Sequence, residues 1–313
     1  MRGEKPRVGI TIGDPSGIGP EVLLKSLHYL GELPADFTVY GSSGVLRFYG
    51  ELLKVPMSFP ANVSLCDVVP DVKFQVGEVS EEAGRAQIEF LRRALGDSKK
   101  GKIEAIVTLP INKEAARISG FRFPGHTEFL AHFFKVKSYG MMLANERLKV
   151  VLLTTHLPLS MVPRFVKREE ILEKLKLIER TLPGSRIGVC ALNPHGGEGG
   201  IFGREEIYEI EPAVREAQSL GINAFGPIPS DTLFVRALKG EFDVVLSMYH
   251  DQGLIPIKLL GFGNSVNVTI GLPIVRTSVD HGTAYDIAGK GVADTGSFKT
   301  AVKVALEMLR SAR

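Results

Sequence analysis

Short apolar runs alternate along the chain with longer segments in which apolar residues recur at helical spacing. Six runs are apolar throughout rather than alternating, as expected for strands that are covered on both faces. The predicted strands are residues 8–12, 37–40, 105–108, 149–154, 186–192 and 242–248. The predicted helices are residues 20–30, 81–95, 168–182, 204–220 and 297–309. This alternation predicts an α/β fold with parallel sheets, and we expect two α/β/α domains that flank a cleft.

Composition excludes some functional classes. Of the 313 residues, 44% are hydrophobic and 23% are charged, and 38 Lys and Arg against 35 Asp and Glu give a net charge of +3. This balance argues against a nucleic-acid partner or a membrane surface, and no apolar stretch reaches the length of a membrane span. The charged start at 1–6 predicts no signal peptide. The two cysteines, Cys66 and Cys190, predict a cytoplasmic location without disulfides.

Three histidines share one position relative to the predicted strands. His156, His195 and His250 each follow an apolar run and lie beside Gly, Pro or other turn residues. Ligands of open α/β sheets bind beyond the carboxyl ends of the strands, so three imidazoles there would hold one divalent metal with an open position. A single histidine after a strand is more often structural, but three in the same place favour a metal site. His28 and His132 lack this context and are expected to be structural.

The first unusual loop, GDPSGIGPEV, begins at Gly13, follows a predicted strand and opens a helix with Pro20 at its first position. Such a helix N-terminus suits a phosphate or a nicotinamide ribose. The same residues are equally typical of a tight turn between strand and helix, and both the Rossmann glycine spacing and a P-loop lysine are missing. The cofactor-binding candidates here are Gly13, Asp14, Gly17 and Gly19.

Two further groups of residues suit an anionic substrate. In the GHTE segment, Thr127 is either a helix cap or, together with His126, a hydrogen-bond donor to a substrate phosphate. Lys258, Asn267 and Arg276 follow at intervals of nine residues, separated by loop-forming segments. Together they would bind a phosphate or carboxylate, with bidentate contacts from the arginine. Taken separately, each charge is typical of a solvated surface residue.

The last motif, DHGTAYDIAGKGVAD from Asp280, is too long and unusual for a plain loop. With the Gly13 loop it resembles the metal-dependent β-decarboxylating dehydrogenases of the isocitrate and isopropylmalate type, which carry GDGIGPE and HG(S/T)APDIAG motifs. The chain departs from that pattern at Pro15-Ser16 and at Tyr285. These departures, together with GHTE, TTHLPL, NPHGGEGG, YHDQG and RTSVDHGTA, resemble the pyridoxine-biosynthesis branch, the 4-hydroxythreonine-4-phosphate dehydrogenase family, over nearly the whole chain.

The resemblance implies an isocitrate/isopropylmalate dehydrogenase-like fold rather than a classical Rossmann fold, in a homodimer with the active site at the interface. We place one domain at 1–120 with 270–313, carrying the cofactor loops, and a central domain at 121–269, carrying the metal and dimer interface. The family's metal ligands match His156, His195 and His250, with His250 supplied by the other subunit. Its substrate contacts match His126, Thr127, Lys258, Asn267 and Arg276.

The implied reaction is oxidation of 4-phosphooxy-L-threonine to 2-amino-3-oxo-4-phosphooxybutanoate and decarboxylation to 3-amino-2-oxopropyl phosphate. It requires NAD or NADP and one divalent metal, for which Zn, Co, Ni, Mn and Mg all remain open. The cofactor residues of the second loop are His281, Gly282, Thr283 and Asp286. NADP users of the superfamily carry Lys-Tyr where this chain has Asp286-Ile287, and a carboxylate would accept from the ribose 2′-OH and repel a 2′-phosphate. NAD is therefore predicted over NADP.

The catalytic base stays open in the sequence. Lys258 is one candidate for moving a proton, with a lowered pKa. Asp231 and Asp251 are alternatives, either for that role or as partners that orient a histidine.

Three other functions compete with this prediction. A sister dehydrogenase would use the same sites on D-erythronate or D-threonate 4-phosphate. A phosphate acyltransferase shares a related fold but has no need of three metal histidines. A non-catalytic metal-binding protein would not need the full set of substrate residues.

Overall fold

The computed structural model describes residues 5–261 and 264–311. Phe262 and Gly263, part of a predicted loop, and the charged start at 1–4 lie outside the described residues. The strands are β1 Arg7–Thr11, β2 Asp36–Gly41, β3 Val63–Asp67, β4 Ala105–Thr108, β5 Gly140–Ala144, β6 Lys149–Leu152, β7 Ile187–Cys190, β8 Ala224–Ile228, β9 Val244–Ser247, β10 Val266–Ile270 and β11 Val275–Val279. The α-helices are α1 Gly19–Glu32, α2 Ser43–Leu53, α3 Glu81–Lys99, α4 Lys113–Ile118, α5 His126–Phe134, α6 Val162–Phe165, α7 Arg168–Thr181, α8 Glu211–Ser219, α9 Ser230–Leu238, α10 His250–Gly261 and α11 Gly296–Ser311.

The chain forms two units, a terminal unit from 1–136 with 272–310 and a central unit within 137–271. The sequence placed these boundaries at 120/121 and 269/270. The first boundary lies later because α5 packs within the terminal unit. The ring of Phe129 on α5 lies 5.1 Å from that of Phe121, and the Lys99 ammonium of α3 lies 4.1 Å from the centre of the Phe133 ring.

In the terminal unit the strand order is β3-β2-β1-β4-β11, and all neighbouring strands are parallel. Parallel strands joined by helices leave their carboxyl ends at one edge, from which the loops after β1, β4 and β11 emerge. Strand β1 ends just before the Gly13 loop, and β11 ends just before the His281 loop. The two motifs that carry the family resemblance therefore belong to the same unit.

In the central unit the order is β10-β5-β6-β9-β7-β8. The neighbours from β6 to β8 are parallel, as predicted, but β5 runs antiparallel to both β6 and β10. The reason is a tight hairpin, in which the Asn145 side chain accepts the N–H groups of Arg147 and Leu148, both at 2.9 Å. The sequence missed this hairpin because β5 is rich in Met, Leu and Ala rather than β-branched residues.

The predicted helix over 204–220 is divided into a π-helical turn, Glu206–Ile210, and α8. Pro212 lies at the start of α8, and proline has no N–H to donate to the preceding turn. A wider turn before the proline accommodates that missing bond. No helix in the described part of the chain is both long enough and apolar enough to cross a membrane.

Candidate active site

Two of the three predicted metal ligands lie side by side at one edge of the central unit. His156 follows β6 and His250 follows the neighbouring parallel strand β9, so their ring centroids are 5.6 Å apart. A cavity of about 250 Å³ contains both residues. Oδ1 of Asp251 lies 2.7 Å from Nδ1 of His250. A carboxylate accepts, so the proton belongs on Nδ1 and the Nε2 lone pair is left for a metal.

The third histidine, His195, lies in a loop of unusual backbone geometry. Residues 195–199 all have positive φ, between 44° and 77°, which explains the three glycines in this stretch. The His195 side chain is 73% exposed, and its Nδ1 lies 3.7 Å from the Glu198 carboxylate. In the described ranges, 5–261 and 264–311, no three His, Cys, Asp or Glu side chains come together as a metal-binding group. One chain therefore places two of the expected ligands together and the third apart.

A buried carboxylate that the sequence did not single out holds the His195 loop. Glu206 accepts the N–H groups of Leu192 at 2.8 Å and Asn193 at 2.7 Å, and the Asn193 side chain at 2.9 Å. A buried charge requires such partners. Helical periodicity could have indicated that Glu206 is buried, because it falls on the same face as the buried residues Ile210 and Val214.

Gln252, also missed, joins the ends of the histidine-bearing strands. Its Oε1 accepts the Met248 N–H at 2.6 Å, and its Nε2 donates to the Ala191 carbonyl at 2.8 Å and the Ser230 hydroxyl at 2.7 Å. Met248 follows β9, Ala191 follows β7 and Ser230 begins α9. This side chain therefore links three elements near the candidate metal ligands. Nothing in the YHDQG sequence marks it for this role.

The remaining candidates of the central unit are Lys258, Asp231 and Asn267. Lys258 is in the last turn of α10, about 12 Å along the helix axis from His250 at its start. Asp231 is exposed in the first turn of α9, where its Oδ1 accepts the Thr232 N–H at 2.9 Å. Asn267 is on β10, and its Oδ1 is buried with no hydrogen-bond partner among the described residues. Among the three candidates for the base, Asp251 is hydrogen-bonded to a predicted metal ligand, His250.

The terminal unit contains a cationic pocket of about 190 Å³, whose lining includes Thr108, Lys113, His126 and Ser278. Arg276 is buried on β11 and donates to the Thr108 hydroxyl at 2.9 Å. Burial lowers the pKa of Arg276 to about 10. Burial, with the charges of Arg276 and Lys113, holds the pKa of His126 well below its usual range. A neutral imidazole beside two cations suits a phosphate or carboxylate.

His126 opens α5, as the phosphate-binding hypothesis requires, and Nε2 of His126 is buried without a hydrogen-bond partner in the described part of the chain. The alternative for Thr127 was wrong, because the residue that precedes the helix is Gly125 and no side chain caps it. Thr127 instead lies in the first turn.

The His281 loop shows features that fit a bound cofactor. His281 lines the same pocket, its Nδ1 donates to the Gly282 carbonyl at 3.0 Å, and its buried Nε2 has no partner among residues 5–261 and 264–311. A Cβ added to Gly282 would meet nothing within 4 Å. Asp286 is exposed on the turn that follows. An unpartnered imidazole, open space and an exposed carboxylate fit a polar ligand such as a dinucleotide.

The Gly13 loop, in contrast, is buried, and other residues of the chain accept hydrogen bonds from its backbone N–H groups. Residues 11–20 are all buried. The N–H of Asp14 donates to the Pro110 carbonyl at 2.9 Å, and that of Ile18 to the Thr283 carbonyl at 3.0 Å. Gly13 has φ 72°, and a Cβ there would lie 2.2 Å from the Pro110 oxygen. The alternative of a tight turn therefore describes this loop, and the expectation that these N–H groups face a ligand is not met.

The remaining glycines of the first loop have the same explanation. A Cβ at Gly17 would lie 2.9 Å from Thr283, and one at Gly19 would lie 2.1 Å from the Ile12 carbonyl oxygen. These glycines are needed for close packing of the loop against β1 and the His281 loop. The motif is explained without direct contact to a cofactor.

Comparison with known proteins identifies the class. Residues 35–305 match the family described as Pyridoxal phosphate biosynthetic protein PdxA. The chain is 45% identical over 319 residues to the 4-hydroxythreonine-4-phosphate dehydrogenase of Aquifex aeolicus, covering 97% of this chain and 98% of that protein. It is 41% identical to the D-threonate 4-phosphate dehydrogenase of Cupriavidus necator, covering 97% of each.

A solved structure agrees with these relatives. The crystal structure of 4-hydroxythreonine-4-phosphate dehydrogenase from Klebsiella pneumoniae matches with a TM-score of 0.89 and 39% identity, covering 97% of this chain and 99% of that one. The chain is thus an α/β oxidoreductase of the dehydrogenase type. It belongs to the PdxA family, which confirms the resemblance predicted from the motifs.

Proposed function

We propose that this chain oxidises 4-phosphooxy-L-threonine at its C3 hydroxyl with NAD and a divalent metal, and that the product loses CO2 to give 3-amino-2-oxopropyl phosphate in pyridoxal phosphate biosynthesis. The observation that carries the proposal is the cationic pocket of the terminal unit. Buried Arg276, neutral His126 and Lys113 together suit the phosphate of such a substrate. Relatives of this family act on four-carbon acid phosphates, as their names state.

The phosphate would anchor the end of the substrate remote from the reacting carbon. Arg276 would supply a fixed cation, since its guanidinium is held by Thr108. His126, held neutral at pH 7, would donate one hydrogen bond without adding a third full charge. Binding energy from this remote group orients the reacting hydroxyl. Lys258 and Asn267 are the other members of the expected substrate set.

The metal would be held by His156, His195 and His250, with His250 supplied by the partner subunit. The residues fit, since His156 and His250 each follow a strand of the central unit and Asp251 leaves the Nε2 of His250 free to coordinate. When bound, the ion would polarise the substrate oxygen and favour both proton loss and decarboxylation. Asp251 would hold the imidazole orientation. Lys258 remains the candidate for moving the proton, with Asp231 as its alternative.

The proposed homodimer is supported by apolar side chains that follow the histidine-bearing strands. Several are strongly exposed in the single chain, which is typical of a surface that another subunit covers. They are Leu159, Ile201, Phe202, Tyr208, Ile255 and Leu259. Since one chain does not collect three ligands, a second copy of the chain would complete the metal site.

The cofactor would bind at the His281 loop, with His281, Gly282 and Thr283 near it and Asp286 at the adenosine ribose. NAD, when bound, would accept the hydride from C3. The exposed carboxylate of Asp286 supports NAD over NADP, because it would accept from a ribose 2′-OH and repel a 2′-phosphate. The Gly13 loop would contribute by supporting this loop rather than by contacting the cofactor.

A second candidate function is oxidation of D-threonate 4-phosphate or D-erythronate 4-phosphate. The relative from Cupriavidus necator, named for the first of these, favours it. The pocket described above would bind either substrate class, because both carry the same phosphate. The C2 substituent alone separates them.

The test is NADH formation from 4-phosphooxy-L-threonine, D-threonate 4-phosphate and D-erythronate 4-phosphate, measured in parallel before and after chelation. Turnover of the amino substrate, lost with the chelator and restored by added metal, is expected. Turnover of only the non-amino acids would replace the proposal with the second candidate. No NADH from any of the three would contradict both. The His156→Ala variant is the matched control, since it should fail with every substrate.

A further inference from the structure

Two side chains of helix α1 form hydrogen bonds with the end of the His281 loop. Glu21 is fully buried, and its carboxylate accepts the N–H groups of Ala293 at 2.8 Å and Gly291 at 3.3 Å. Lys25, one turn later, donates from Nζ to the carbonyls of Gly291 at 2.9 Å and Ala293 at 2.6 Å. The two side chains also form an ion pair of 3.6 Å. Both the donors and the acceptors of the loop backbone at 291 and 293 are thereby bound to one helix.

Burial of the Glu21 carboxylate costs folding free energy. A fully buried carboxylate must be compensated by charge-assisted hydrogen bonds, and Glu21 obtains them from the loop and from Lys25. The contacts join residues that are 266 to 272 positions apart in the chain. Loops that are held only by their ends do not need such bonds. The pair therefore fixes the shape of the loop.

Two other contacts between the same loops lie on the other side of Asp286. The Tyr285 hydroxyl donates to Oδ2 of Asp14 at 2.5 Å, and the Ile18 N–H donates to the Thr283 carbonyl at 3.0 Å. The stretch that contains Asp286 is thus held before it, at 283 and 285, and after it, at 291 and 293. Every one of these anchors comes from the GDPSGIGPE loop or the first turns of α1. This explains why the two motifs occur together.

We propose that Glu21 and Lys25 are positioning residues, which hold the 286–293 segment in the shape that presents Asp286 to the cofactor's adenosine ribose. They act through the loop and do not touch the cofactor. The inference rests on the proposed function, because it takes the His281 loop as the dinucleotide site. It assigns to the first motif a supporting role in cofactor affinity in place of direct binding.

The experiment uses Lys25→Met and Glu21→Gln in the full chain, with Lys299→Met as the matched control. Lys299 also contacts α1, through the ring of Tyr29 at 5.6 Å. Amide hydrogen exchange of the unliganded protein is measured for peptides that cover 289–295. Affinity for NADH is measured by calorimetry, and affinity for inorganic phosphate is measured separately. Lys25→Met leaves the Glu21 bonds to the loop in place, so it should fold even if Glu21→Gln does not.

In Lys25→Met we expect faster exchange at 291 and 293 and NADH binding that is weaker by about tenfold, as for the loss of one to two charge-assisted hydrogen bonds. Phosphate affinity should stay within about twofold, and Lys299→Met should match the wild type. Unchanged exchange would overturn the inference, and so would faster exchange with unchanged NADH affinity. If the wild type itself binds no NADH, the proposed function fails as well. If the wild type binds NADH and Lys25→Met binds it equally well, the inference fails alone.

Discussion

The hydroxyl of Tyr285 lies 2.5 Å from Oδ2 of Asp14, whose other oxygen accepts the Ser16 N–H at 2.9 Å. Burial raises the pKa of Asp14, and the bonds from Tyr285 and Ser16 lower it. Ser16 and Tyr285 are both positions at which the chain departs from the isocitrate and isopropylmalate dehydrogenase motifs. Of these two departures, Tyr285 is the one that supplies a side-chain donor to the buried carboxylate, since Ser16 contributes its backbone N–H.

The Tyr285→Phe substitution removes one of these donors and leaves Oδ2 of Asp14 buried without it. We expect the free energy of unfolding to fall by about 1–3 kcal/mol, the usual cost of an unsatisfied buried group. Chemical denaturation followed by circular dichroism measures this. Tyr139→Phe, at a tyrosine that is only half-buried, is the control and should change stability by less than about 0.5 kcal/mol. Equal stability of both variants would contradict the role given to the Asp14 bond.

The sequence predicted the elements whose burial pattern is strong. Strand 105–108 was predicted with the bounds that the structure has, and the five predicted helices are present with shifted ends or, for 204–220, an internal π-helical turn. The missed strands include β5, whose Met and Leu residues are not β-branched, and β8, which contains Gly226 and Pro227. Propensity fails where tertiary pairing decides the conformation.

Site residues were predictable where their side-chain chemistry is distinctive. His126 lines one pocket and is close enough to feel the charge of Arg276, and His156 and His250 line another pocket. Glu206, Gln252 and the loop contacts of Glu21 were not predictable, because they serve backbone groups that only the folded chain brings near them. An ordinary polar residue gives no sign in the sequence of the carbonyl or N–H that it will bind.

Asp251→Asn should weaken metal binding without removing any ligand. The amide oxygen is an uncharged and weaker acceptor for the Nδ1 proton of His250 than the carboxylate is, and loss of such a partner typically lowers metal affinity by about 10- to 100-fold. Calorimetric titration with Zn²⁺ and Co²⁺ measures the change. Asp231→Asn is the matched control, since Asp231 bonds only its neighbour's N–H in the described structure. A larger loss in the control would transfer the orienting role to Asp231.

Arg276→Lys should separate substrate binding from cofactor binding. Lysine keeps the charge but loses the planar donors that reach Thr108 and a phosphate together. We expect the KM of the phosphorylated substrate to rise by about 10- to 100-fold, as for loss of a charge-assisted bidentate contact, with NADH affinity unchanged. Arg117→Lys, at an exposed position on α4, is the control. An unchanged KM in Arg276→Lys would remove this residue from the phosphate site.

His126 should make the folded protein less stable in mild acid. Burial and the charges of Arg276 and Lys113 lower its pKa in the folded state, well below the 6.5 of an unperturbed histidine. As the pH falls through 6.5, His126 binds a proton in the unfolded chain but stays neutral in the folded chain. The free energy of unfolding therefore decreases as the pH falls. Above 6.5 both states are neutral and the effect vanishes. The slope is at most about 1.4 kcal/mol per pH unit for one proton.

The free energy of unfolding is therefore compared at pH 5.5 and 7.5 for the wild type and His126→Asn. The variant cannot titrate at this position, so its stability should change less between the two values. His28→Asn is the control, because the His28 side chain is 92% exposed and lies on helix α1, outside the cationic pocket. If His126→Asn loses as much stability in acid as the wild type does, His126 is not held neutral by the pocket. The cationic site would then offer a substrate phosphate three charges instead of two cations and a neutral donor.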